Sequence, residues 1–229
     1  MLFGPQGWLI FIVAMVLGVA TQGYVNSAYR KNSRVALPSG LSGAQVARRV
    51  LDSQGLQHVR IEMVPGTLTD HYDPRADVLR LSTDVHNGEH VAAAGVAAHE
   101  AGHAAQHAAG YLPARVRMSL VPVANIGSQS GPFLVMIGLL FGYGSGFSSL
   151  FIDLGIALFA SAVLFQVVTL PVEFDASRRA LASLTTTGVV FPGQESGARS
   201  VLTAAALTYV ASALISVLYL LQFIGLRRD

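Results

Sequence analysis

Four long stretches of this chain carry no Lys, Arg, Asp or Glu: Met1 to Tyr29, Met118 to Ile152, Leu154 to Val172 and Ser200 to Leu226. A helix needs about 20 mostly apolar residues to cross the hydrocarbon of a bilayer. The pattern therefore predicts transmembrane helices at 7–25, 119–142, 150–172 and 201–224. Between the first two the pattern changes. Ser42-Gly43-Ala44-Gln45 has the spacing of a capping box, Val46, Ala47, Val50 and Leu51 follow as an apolar face, and Gly55 fits a helix stop. Val59, Ile61 and Met63 alternate with Arg60 and Glu62, which predicts a strand, and Val78-Leu79-Arg80-Leu81 predicts a second. Pro65-Gly66 and Asp73-Pro74 between them are turn signals. Asn87 is placed to cap a helix that begins near Gly88, has Glu89 in its first turn, and runs to about Ala109 before Gly110 and Pro113. This helix is long enough to span a membrane but carries Glu89, His90, His99, Glu100, His103, Gln106 and His107. So many polar groups are costly in lipid, so it is expected inside the protein, near the membrane face.

The expected fold class is a mainly α membrane protein with four transmembrane helices and a small α+β part. The polar segments are 27–118 and 173–200, and 1–229 reads as a single domain. The small-residue spacings at Gly127/Gly131 and Gly138/Gly142/Gly146 read as helix packing.

Composition agrees. Charged residues make up 12% of the 229 and hydrophobic ones 52%, against about 25% charged in a soluble domain. No basic run interleaves with aromatics, so a nucleic-acid partner is not expected. The absence of cysteine excludes disulfides and thiol catalysis. The first apolar stretch is preceded by no Lys or Arg and followed by Arg30, Lys31 and Arg34, which reads as a retained anchor. Near the span ends, 27–118 and 173–200 carry Arg30, Lys31, Arg34, Arg115, Arg117, Arg178, Arg179 and Arg199. The N-terminus, the 143–149 turn and the C-terminus share the other side, which has only Arg227 and Arg228. The excess of positive charge puts both larger segments in the cytoplasm.

The chemistry concentrates in His99-Glu100-Ala101-Gly102-His103. Residues four apart on a helix project from nearly the same side, about 6 Å apart along the axis. Two imidazoles so placed can close on a tetrahedral zinc. Glu100, between them, is placed to take a proton from the water that a bound zinc activates. Structural zinc sites are usually rich in cysteine, so a carboxylate beside the ligands in a cysteine-free chain favours catalysis. Such a site needs a third protein ligand. His107 is about 12 Å along the axis from His99 and rotated by about 80°, so a straight helix cannot bring it to the same ion. Glu173, just past the third span and on the same side of the membrane, is the better candidate, the alternative being a solvated helix cap. Asp175, about 200° around from Asp175's neighbour-but-one Glu173, is free to orient a ligand or to pair with Arg178 or Arg179.

Three stretches carry a resemblance: Asp70-His71-Tyr72-Asp73-Pro74 with Leu79-Arg80-Leu81-Ser82, Ala98-His99-Glu100-Ala101-Gly102-His103-Ala104-Ala105-Gln106, and Pro171-Val172-Glu173-Phe174-Asp175-Ala176-Ser177-Arg178-Arg179-Ala180. Gly197 to Leu202 and Ala204 to Val210 add to it. Together they make the chain resemble the neutral zinc metallopeptidase family of bacterial membranes. More distantly it resembles the heat-shock membrane protease and CaaX prenyl protease groups. The resemblance implies a gluzincin: a zincin-like cytoplasmic part, Zn2+ as cofactor, Glu173 as third ligand, peptide hydrolysis, and residence in the bacterial inner membrane. The usual Asp four residues after the ligand Glu is replaced by Ser177.

The implied reaction is cleavage of a polypeptide, membrane proteins included, by an endopeptidase with Glu100 as base. His71 or Tyr72 is a candidate donor to the transition state, and a strand near Leu79–Ser82 could pair with extended substrate. Two other readings stand beside it. One is an intramembrane site-two-type protease with a later Asp ligand, for which Asp153 is the candidate in a span. The other is a metal-binding membrane scaffold or transporter, with Asn125, Gln129, Asp153 and Gln166 as polar residues in the spans.

Overall fold

The computed structural model describes residues 4–141, 146–191 and 195–228. Among them are four helices long and apolar enough to cross a membrane: α1 (Pro5–Asn32), α5 (Leu112–Leu140), α6 (Gly146–Thr186) and α7 (Glu195–Arg228). The four expected spans fall on these helices. The 143–149 turn and the Gly142 spacing lie wholly or partly outside the described residues. The chain divides into two compact units, one comprising the residues up to Ala20, Arg115–Pro171 and Thr208 onward, the other Thr21–Ala114 and Val172–Leu207.

In the first unit, α5 and α6 meet through small residues. A Cβ built on Gly127 would lie 2.1 Å from the Leu158 carbonyl oxygen, and one on Gly131 would lie 2.9 Å from that of Gly155. Both glycines are therefore required by backbone proximity, the packing role their spacing predicts. Phe159 of α6 packs edge-on against Phe223 of α7, with ring centroids 5.2 Å apart. Arg227 Nε donates to Asp153 Oδ1 at 2.5 Å.

The second unit is α+β. Between α1 and α5 lie α2 (Gly43–Ser53), β1 (Arg60–Val64), β2 (His71–Asp73), β3 (Val78–Ser82), α3 (Thr83–Asn87) and α4 (Val91–Ala108). The Ser42–Gln45 capping box forms in full. Gly55, at φ 75°, ends α2 in the left-handed region that glycine tolerates. The sheet has the order β1-β3-β2, with β1 parallel and β2 antiparallel to β3. Its apolar side meets α2 and α4: Val46, Val50 and Leu51, Leu79 and Leu81, and the alanines of α4 form one core with Ala180 and Leu184 of α6 and Ala198, Val201 and Leu202 of α7.

Two details differ from the expectation. Asn87 does not cap the metal-motif helix; it ends the short α3. The backbone at Glu89 and His90 is drawn out by pairing with the segment after α1, through Leu37 N–H to Glu89 O at 2.8 Å and Val91 N–H to Val35 O at 3.0 Å. Helix α4 starts at Val91 instead, with His90 as its cap: His90 Nδ1 accepts from the Ala93 amide at 3.1 Å. Second, His71–Asp73 forms a strand that the sequence pattern did not predict, ending at the Asp73-Pro74 turn signal, after which residues 74–77 turn. It is too short to show alternation and is fixed by side chains. Asp70 accepts from the Ser82 amide at 2.7 Å, and Arg80 Nη1 donates to Asp73 Oδ2 at 2.9 Å. Asp73 also accepts from the amides of Arg75 and Ala76, which turns the chain into β3.

Candidate active site

The second unit contains the whole metal-motif helix and the part of α6 that begins at Val172. Helix α4 is almost entirely buried, and its fourteen buried residues include His99, Glu100, Gly102 and Gln106. Alanine and glycine make this possible, because their small side chains let α6 and α7 come close. A Cβ on Gly102 would lie 2.8 Å from the Ala176 carbonyl oxygen. That contact brings the backbone of α6 against the centre of the motif. Glu173 and Asp175 lie about 160° apart around α6 the short way, one on each flank of Ala176.

On one flank, His99, His103 and Glu173 come together. Each offers one ligand atom, and these atoms all lie within 4.8 Å of one another. Glu173 Oε2 is 3.2 Å from His99 Nε2 and 3.5 Å from His103 Nε2. The two imidazoles stand edge to face, with centroids 4.7 Å apart. Glu173 is 2% exposed, so its carboxylate has these imidazoles in place of water. Burial opposes protonation of His103, but the hydrogen bond to Glu173 and the charges of Glu100 and Glu173 outweigh it and raise its pKa. Two imidazole nitrogens and one carboxylate oxygen are a donor set that suits zinc and leaves a position for water.

Each ligand candidate is held from behind. His99 Nδ1 lies 3.2 Å from Ser177 Oγ, so the serine four residues past Glu173 meets this imidazole from behind. His103 Nδ1 lies 3.1 Å from Gln106 Oε1. Gln106 in turn donates to Val172 O at 2.8 Å and to Asp175 Oδ2 at 3.0 Å. Asp175 also accepts from Arg178 and Arg179. Asp175 thus pairs with both arginines and is linked through Gln106 to His103. Gln106 escaped the sequence reading, since a glutamine three residues past a histidine has no spacing rule of its own.

Glu100 stays outside the ligand group. Its Oε2 accepts the Tyr72 amide at 3.1 Å. That amide belongs to β2, whose Tyr72 is paired with Leu79 of β3. The strand pins at Asp70 and Asp73 therefore hold the backbone that orients Glu100. Asp70 itself titrates high, chiefly through burial, against the Ser82 donors and with a contribution from the Glu100 charge.

The Tyr72 hydroxyl donates to Asp77 Oδ1 at 2.5 Å and lies 2.9 Å from His107 Nδ1. Burial and then the Asp77 hydrogen bond raise its pKa, so it stays a phenol. His71 is exposed, with Nδ1 2.8 Å from Thr69 O. Neither side chain, nor His107, belongs to the His99–His103–Glu173 group. Strand β3 lies inside the sheet, with β1 and β2 on its two sides. An extended peptide therefore cannot pair with β3 as expected; the edge beside Glu100 is β2. Asp153, the candidate for a site-two-type ligand, is engaged by Arg227.

No solved structure matches the chain. It is 46% identical over 217 residues to a Bacillus subtilis (strain 168) protein named "Putative membrane protease YugP", covering 94% of each chain. Residues 7–228 match the model of the family described as "Putative neutral zinc metallopeptidase". With the His-Glu-x-x-His helix, the buried glutamate and the four apolar helices, the chain belongs to this membrane-associated zinc metallopeptidase family.

Proposed function

We propose that this protein is a zinc endopeptidase that hydrolyses polypeptides at a cytoplasmic membrane face. The observation that carries the reading is the convergence of His99, His103 and Glu173, with Glu100 beside them but tied to a different partner. His99, His103 and Glu173 are the proposed ligands. Bound there, zinc would supply a Lewis acid for the scissile carbonyl and make the attacking water more acidic.

The remaining work falls to the chain's own groups. Glu100 keeps one oxygen on the Tyr72 amide; its other oxygen accepts the proton of the attacking water and returns it to the departing amine. Strand β2 is an edge of the sheet beside Glu100, where backbone groups other than the Tyr72 amide can pair with an extended peptide. Ser177 and Gln106 keep the two imidazoles aimed at Glu173. The Lys/Arg excess on 27–118 and 173–200 supports a cytoplasmic site.

Glu100→Gln tests the proposal. Glutamine has similar size and removes no proposed ligand, so the fold and the bound zinc should survive. Peptide cleavage should fall by about 10²–10⁴-fold, the usual worth of a general base. The assay compares cleavage of an unfolded polypeptide at matched zinc occupancy. A variant that cleaves within about threefold of the parent excludes Glu100 as the base. A zinc-loaded parent that cleaves no polypeptide favours a scaffold or transporter.

A further inference from the structure

The two histidines of the motif are supported differently, and the difference has a chemical consequence. His99 faces the Ser177 hydroxyl, which can donate or accept. Such a partner does not choose between imidazole tautomers. His103 faces Gln106, which is 1% exposed and bonded at both ends. The Gln106 nitrogen lies between two groups that can only accept, the Val172 carbonyl at 2.8 Å and the Asp175 carboxylate at 3.0 Å. The amide group must therefore point there, leaving the carbonyl oxygen 3.1 Å from His103 Nδ1. An acceptor at that place requires a proton on Nδ1. A neutral imidazole protonated at Nδ1 has its lone pair on Nε2, the nitrogen directed at Glu173.

Resting on the reading of His103 as a zinc ligand, we propose that Gln106 is a positioning residue. Clamped by Val172 and Asp175, it fixes His103 as the Nδ1–H tautomer and so presets Nε2 to bind the metal. Arg178 and Arg179 complete the clamp by holding Asp175 from the solvent side of α6. The chain of contacts runs from two arginines through a carboxylate and an amide to one ligand atom. The other tautomer, with its proton on Nε2, would strand the Gln106 carbonyl without a donor, and although that proton could go to Glu173 it would have to leave before a metal could bind.

The test uses the full-length protein in detergent and two readouts that do not involve peptide turnover. The first is zinc affinity by chelator competition for the parent and Gln106→Met, which keeps the bulk and removes both hydrogen-bonding ends. Affinity should drop by about 10–100-fold. The second is the imidazole ¹⁵N spectrum of the metal-free protein at alkaline pH, read in a Glu173→Ala background for parent and variant alike so that this carboxylate does not draw the proton to Nε2, with His103 assigned from a His103→Gln variant. The parent should carry its proton on Nδ1, and Gln106→Met should move population to Nε2. A parent with Nε2–H, a variant with unchanged tautomer, or an affinity within about threefold of the parent overturns the proposal. If Gln106→Met does not fold, Asp175→Asn keeps the shape of the clamp and removes its charge. It should lower affinity in the same direction by at least about threefold, and an unchanged affinity overturns the proposal. Absence of proteolysis in a zinc-binding parent would remove the peptidase reading and leave this one standing.

Discussion

At the scale of single residues, the site turns on one carboxylate: Glu173 Oε2 lies 3.2 Å from His99 Nε2 and 3.5 Å from His103 Nε2. It is the one anionic member of the proposed ligand group, and its removal leaves two imidazoles four residues apart. Glu173→Ala should therefore weaken zinc by more than the roughly 10–100-fold of an outer-shell loss. Metal analysis after dialysis against a chelator checks this. Zinc retained at parental affinity would remove Glu173 from the ligand set. The place of Glu173 was reached by its side of the membrane and by resemblance, whereas the positions of His99, Glu100 and His103 follow from one turn of helix. Gln106 and the Tyr72 amide carry no spacing signature, one being a side chain common on any helix surface and the other backbone, and Ser177 stood out only as the residue where an Asp is usual.

At the scale of elements, helix α6 organises the site. It runs unbroken for 41 residues, through Pro171, a length of about 62 Å at 1.5 Å per residue. A bilayer core takes about half of that. Charge returns at Glu173, so hydropathy ends the expected span at Val172 and says nothing of where the helix ends. The continuation puts Glu173, Ala176 and Ser177 on the face that meets α4, and hydropathy cannot reveal this. The boundary of α4 was misread by three residues because His90, not Asn87, caps it. Glycine placement gives a paired test. Gly102 has the Ala176 backbone 2.8 Å from any added Cβ, whereas Gly95 has nothing nearer than 3.6 Å. Alanine improves helix propensity at both positions by about 1 kcal/mol. At Gly102 that gain is opposed by overpacking of about 1–3 kcal/mol, and the backbone that must yield lies three residues from Glu173. Gly102→Ala should lower the melting temperature and zinc affinity together, while Gly95→Ala should leave affinity unchanged and stability equal or higher. Equal behaviour of the two variants would show that the close approach at Ala176 does not set the site.

At the scale of the whole molecule, the remaining question is which side of the membrane holds the site, and charge supplies the argument. The stretch from Leu154 to Val172 carries no charge, with Asp153 before it and Glu173 after it, and its length is about that needed to cross the hydrocarbon. The end at Glu173 belongs with Arg178, Arg179 and Arg199, and the segment 27–118 adds Arg30, Lys31, Arg34, Arg115 and Arg117 near the span ends. At the other end only Arg227 and Arg228 stand near a span end. Cations are retained in the cytoplasm, and the imbalance supports the proposed inward orientation of 27–118 and 173–200. The chain has no cysteine, so a single introduced thiol reports its own location without background. Ser53 is suited to this: it is exposed at the end of α2 and bonds only to the Val50 carbonyl among the described contacts. In sealed protoplasts, Ser53→Cys should resist a membrane-impermeant maleimide and react once the membrane is opened. A cysteine replacing Asp229 should react in both conditions, which controls for reagent and expression. Labelling of the residue-53 thiol in sealed protoplasts would invert the orientation and move the proposed cleavage to the outer face. It would leave the ligand group untouched, because its members are brought together by α4 and α6 whichever side they face.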